Sequence, residues 1–137
     1  MTDAIQKYTI SRSRAEAVIA AAAAKAEALG APVAIAVVDE SGVLKAFTRM
    51  DGASLGPVEI APAKARMAAC FGAPSGVFRE MMKDDLVAAV ALSTALTGVA
   101  LLGGGVPITV NGAVVGAIGV SGGTEAQDIE IAQAAIS

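Results

Sequence analysis

The sequence predicts an α+β domain in which an antiparallel sheet of about four to five strands is covered by helices. Three observations carry this reading. Glu40-Ser41-Gly42 lies between two apolar runs, and Asn111-Gly112 lies between two more. Tight turns of this kind join antiparallel neighbours. Helical periodicity flanks each hairpin on both sides. The 137 residues suffice for one domain, 1–137, with a buried core.

Taken in order, Ala15, Val18, Ile19, Ala22, Ala26 and Leu29 recur at helical spacing and predict a helix over 11–29. Ser13 with Glu16 fits a capping box, Gly30 suits a left-handed terminator, and Pro32 prevents continuation. Residues 32–39 alternate Val33, Ile35 and Val37 against Ala34, Ala36 and Val38. Both faces are apolar, so both are expected to be covered. The return strand over 43–50 places Leu44, Ala46, Thr48 and Met50 on one face and Val43, Lys45, Phe47 and Arg49 on the other. After a loop over 51–56 comes a helix ending near Phe71-Gly72. Pro57 and Pro62 both suit its first turn. A further helix is expected over 75–83 and another over 85–96. Strands over 106–110 and 113–120 follow, and Thr124 with Gln127 caps the last helix.

Charge and composition exclude several classes. The net charge is −3 and the ten basic residues are scattered, which argues against a nucleic-acid partner or a basic membrane-binding face. The start, Met1 to Gln6, lacks the basic-then-apolar layout of a signal peptide, and one cysteine suits a reducing compartment, so a cytoplasmic location is expected. No charge occurs from Leu86 to Thr124. Ser93, Thr94, Thr97, Gly98 and the triplet Gly103-Gly104-Gly105 interrupt that stretch, so it is expected in the core or in a subunit interface, not across a membrane.

The chain has no histidine. Ser-His-Asp and Cys-His nucleophile systems and His-containing zinc sites are therefore excluded, and no metal site is expected. Acid–base chemistry falls to Asp, Glu, Lys, Tyr8 or Cys70. Lys64 lies in a helical stripe with Ile60, Met67 and Phe71, where it is either buried or snorkelling. Arg49, Asp51 and Glu59 lie near it in sequence, a set able to bind an anion or move a proton, or to pair on the surface. Gly103-Gly104-Gly105 precedes a strand, so it is no dinucleotide fingerprint. Close backbone approach, or amides lining a pocket, suits it. Ser121-Gly122-Gly123-Thr124 precedes a helix, where capping or anion binding applies. Cys70 reads as a small core residue, and Met50, Met67, Met81 and Met82 read as packing.

Several segments together carry a resemblance: Pro32 to Asp39 with Gly42, Phe47 to Ala53, Lys64-Ala65-Arg66 leading to Phe71-Gly72, Gly103 to Pro107, and Gly116 to Gly122 with Glu125, Gln127 and Asp128. Over roughly residues 10 to 136 the chain resembles the GlcG/HbpS-like, haem-binding-protein-like family. The resemblance implies a profilin-like α/β/α layering, a homo-oligomer, and haem among the ligands. It also implies a catabolic accessory role like that of small proteins encoded with glycolate or aromatic catabolic genes. With no histidine, an imidazole axial ligand is excluded here; Met, Cys, Tyr, Lys or a hydroxyl remain, and the cofactor is open.

Three functions follow as expectations. The first is a small-molecule-binding protein for haem or a small planar, acidic metabolite. Its pocket would be built from Arg49, Asp51, Lys64, Gly103, Gly104, Gly105 and Pro107. The second is an isomerase or tautomerase in which Lys64 moves the proton, Arg49 holds a carboxylate, and Glu59 or Asp51 tunes Lys64. The third is a structural oligomeric accessory subunit.

Overall fold

A computed structural model describes residues 2–137. The elements are α1 (Arg12–Leu29), β1 (Ala34–Asp39), β2 (Leu44–Arg49), α2 (Pro57–Phe71), α3 (Ser75–Met82), α4 (Leu86–Ala95), β3 (Gly105–Val110), β4 (Ala113–Ser121) and α5 (Glu125–Ala135). The four strands form one sheet in the order β2-β1-β4-β3, antiparallel throughout. Each outer pair is a hairpin, and the β1–β4 pairing joins the two. Asn111 (φ 51°) and Gly112 (φ 80°) turn the second hairpin in the left-handed region that an Asn-Gly turn requires.

The alternation along β1 divides the core. Val33, Ile35 and Val37 join Val18, Ala22, Ile118, Val120 and Ile131 beneath α1 and α5. Ala34 and Ala36 meet Ala61 of α2 on the other face, and Val38 meets Ala65 and Ala68. The result is three layers, with α1 and α5 on one side of the sheet and α2 on the other. On the α2 side the helix rests on bare backbone. A Cβ on Gly119 would lie 1.9 Å from the Ala61 carbonyl oxygen, and one on Gly105 would lie 2.1 Å from that of Lys64.

Four local expectations are corrected, and one choice left open is decided. The cap of α1 is Ser11, whose side chain accepts from the Arg14 amide at 3.1 Å; Ser13 already lies inside the helix. The glutamate that would have completed a box from Ser13 instead receives Arg12 at 2.8 Å. Leu44 does not share a face with Ala46. The ladder shifts between Val37 and Val38, so Ala46 pairs with Val37 while Leu44 pairs with Val38. Of the two prolines, Pro57 starts α2 and Pro62 lies inside it. Lys64 is therefore beyond the first turn of the helix. Cys70 is exposed, not core. It follows Ala68 by two residues and so is turned about 200° around the helix from the sheet.

The last correction concerns the uncharged stretch. α4 has no buried residue; Leu86 is 76 % exposed and Val87 81 %. The segment packs mainly on α3, which leads it away from the sheet, so it is no part of the core. Among the described residues no helix is long and apolar enough to cross a membrane.

Candidate functional site

Lys64 is buried, with 3 % of its surface exposed, and so is Asp128. The Lys64 ammonium donates to the Asp128 Oδ2 at 3.1 Å and to the Val120 carbonyl at 2.9 Å. Asp128 Oδ1 accepts the Gly123 amide at 2.9 Å. One carboxylate thus ties α2, the end of β4 and the first turn of α5 together. Both partners are drawn from apolar stripes. Lys64 sits among Ala61, Ala65 and Met67 on α2, and Asp128 precedes Ile131, Ala132 and Ala135 on α5. Removing either would leave the other charge buried and uncompensated.

The glycine triplet lies alongside this pair. A Cβ on Gly104 would meet the Lys64 Nζ at 3.0 Å, and the Gly104 carbonyl accepts the Val120 amide at 2.9 Å. Ser75, fully buried at the start of α3, holds the triplet from the far side. Its hydroxyl donates to the Leu102 carbonyl and accepts the Gly105 amide at 2.8 Å.

Of three clefts, two adjoin this framework and one lies apart from it. The largest, about 600 Å³, runs between α3, the triplet and α5, with Gly103, Gly104 and Gly105 as its floor and Val77, Val106 and Ile129 among its walls. Arg79 and Glu125 form an ion pair at its edge, and Glu125 also accepts the Gly103 amide at 3.2 Å. Met81 lines it too. A second, of about 490 Å³, lies between residues 8–11 and the β3–β4 hairpin, with Tyr8 and Arg14 in its lining. A third, of about 260 Å³, adjoins Lys64, Ser121 and Asp128.

The residues singled out in the sequence are therefore divided. Gly103, Gly104 and Gly105 line the largest cleft and Lys64 the smallest. Arg49, Asp51, Glu59 and Pro107 line none of the three. Arg49, Asp51 and Glu59 are exposed. Arg49 faces Ala34 across β1, and Ala34 faces Ser121, which puts Arg49 two strands, about 10 Å, from the end of β4. Asp128, Glu125 and Arg79 were not singled out as functional. The available signal was a carboxylate within the apolar stripe of α5, which demands a buried cation.

The comparisons agree with this architecture. Residues 10–137 match the family model described as "Haem degrading protein HbpS-like". Protein GlcG of Escherichia coli K12 is 40 % identical over 115 residues, covering 84 % of this chain and 83 % of that protein. Among solved structures, the Klebsiella pneumoniae protein ORFY superposes with a TM-score of 0.91 at 31 % identity, covering 99 % of this chain and 94 % of ORFY. A PduOC–haem complex superposes with a TM-score of 0.86 at 30 % identity, covering 93 % of each chain. A four-stranded antiparallel sheet with helices on both faces, matched over nearly its full length in sequence and in structure, places this chain in the HbpS-like family.

Proposed function

We propose that this protein binds a small planar molecule with acidic groups, haem being the first candidate, in the large cleft between α3 and α5. The observation that carries the reading is the cleft itself. Its volume of about 600 Å³ lies in the range of small-molecule sites. Three buried glycines form its floor, so a flat ligand meets bare backbone and no side chains there. Val77, Val106 and Ile129 supply apolar walls, and a ligand carboxylate at the rim would take Arg79 in exchange for its partner Glu125. Within that lining Met81 is the soft donor suited to a haem iron, a role in which thioethers serve. Haem, when bound, would supply the iron chemistry; the chain would supply orientation and shelter from water. A relative solved as a haem complex and a family named for haem support the choice.

Haemin titration of the purified protein, followed in the Soret region, tests the reading. A saturable one-to-one shift, altered in Met81→Ala and weakened in Arg79→Ala, is expected. A shift that Met81→Ala leaves intact and Tyr8→Phe abolishes moves the site to the second cleft. Uptake without saturation removes haem from the reading. The isomerase reading is weaker, because Lys64 is committed to Asp128 and Arg49 is not beside it. We also propose that the protein is a homo-oligomer assembled through α4. The exposure of Leu86, Val87 and Val90 supports this. Light scattering of the wild type and of a Val87→Glu, Val90→Glu variant decides it, with a drop in mass expected in the variant.

A further inference from the structure

We propose that the small cleft beside the Lys64–Asp128 pair is a second binding site, specific for a small carboxylate and separate from the large cleft. It opens where the start of α2, the end of β4 and the start of α5 meet. Lys64 and Ser121 border it on the polar side together with Asp128 and Glu125, and Pro57, Ile60 and Leu102 close the apolar side.

Two independent features point to a ligand there. Ser121 is only 5 % exposed and lies on the face of the sheet that carries α2, opposite Ala34. Its hydroxyl has no hydrogen-bond partner among the described residues, and the cleft is the space it borders. That hydroxyl keeps access to the cleft and so offers a hydrogen bond to a ligand oxygen there. The second feature is the ammonium. Lys64 has three N–H groups; Val120 and Asp128 take two, and no third acceptor occurs among the described residues. The first turn of α5 adds positive potential.

The charge balance selects the ligand class. Lys64 is paired with Asp128, and Arg79 with Glu125, so these four charges cancel. The uncommitted groups that remain are the Lys64 N–H and the Ser121 hydroxyl, both able to donate; the Gly123, Thr124 and Gln127 amides are already taken by Asp128 and the capping box. A carboxylate offers two acceptor oxygens for one negative charge. A phosphate dianion brings a second charge against Asp128 and Glu125, and a cation meets Lys64 and the positive end of α5. The volume of about 260 Å³ restricts the carboxylate to a few carbon atoms.

The test is an acetate titration of the ¹⁵N-labelled full-length protein at constant ionic strength. It is read at the Gly122 and Gly123 amides and at the Lys64 side-chain nitrogen. Saturable shifts are expected at these positions and not at Gly76 or Val77 in the large cleft. Ser121→Ala should weaken the affinity roughly fivefold or more, the loss of about one hydrogen bond. Ser121→Val, which also fills the space, should abolish it; thermal unfolding of both variants verifies that they are folded. Shifts that grow linearly with acetate as they do with chloride would overturn the proposal. So would saturable binding that survives Ser121→Val. Inorganic phosphate binding as tightly as acetate would overturn the carboxylate class.

Discussion

Two helices of this molecule, α2 and α4, stand at opposite extremes of burial, and their compositions run the wrong way for a simple account. α4, Leu-Val-Ala-Ala-Val-Ala-Leu-Ser-Thr-Ala, carries no charge and buries nothing. α2 contains two prolines, Glu59, Lys64 and Arg66, yet seven of its residues are buried. The difference lies in the surface each helix meets. α2 lies on Gly105, Gly119, Ala34, Ala36 and Ala117, which leave a trough where its own alanines fit. α4 packs mainly on its neighbour α3 and buries none of its residues fully. Hydropathy makes burial favourable, but the partner surface decides whether it happens.

If this contrast is right, substitutions around α2 should be costly and those on α4 nearly silent in the isolated chain. Asp128→Asn should have the largest effect, because it strands the Lys64 charge beneath α2. About 3–5 kcal/mol of stability should be lost in urea unfolding. Gly119→Ala comes next. Its methyl collides with the Ala61 carbonyl, backbone that cannot rotate aside, and about 1–3 kcal/mol should be lost. A neutral result there would mean that α2 is not seated as described. Ser11→Ala should cost about 1 kcal/mol through the lost cap of α1, whereas Ser13→Ala should cost close to nothing. The pair of melting curves locates the helix start directly. Val87→Gln on α4 should stay within about 0.5 kcal/mol under conditions where the chain is monomeric. A larger loss would show that α4 is packed, and the contrast between the helices would fail.

The strands and both hairpins were legible because their signals are local. Asn111-Gly112 specifies its own backbone, and the alternation along 33–38 states that both faces are covered. Thr124 with Gln127 was legible for the same reason, and both reciprocal bonds are present. The errors arose where local signals competed. Ser11 and Ser13 both suit a cap, and Pro57 and Pro62 both suit a first turn. The register shift opposite Val38 has no signature in the residues around Leu44.

The site was harder still, for a physical reason. Arg49, Asp51 and Glu59 are near Lys64 along the chain, and that proximity suggested a cluster. The partner Lys64 finds is Asp128, brought over from 64 positions away by the closure of β4 onto β1. Sequence neighbours lie along the chain; site neighbours are set by the sheet. What was readable is that a lysine in one apolar stripe and an aspartate in another each needed an opposite charge.

The seating of α2 on bare backbone at Gly119 and Gly105 also governs how this fold can diverge. An interface of interlocking side chains can trade volume between its two surfaces, one substitution compensating another. At these two points there is no such layer to trade, so the spacing of helix and sheet is held by atoms that every sequence shares. Change is admitted only at the two ends of the helix. One end, Pro57 and Ile60, walls the cleft beside Lys64; the other, Phe71, packs at a tilt against Phe78 of α3. New ligand preferences would therefore arise at the rims, over a spacing that stays the same.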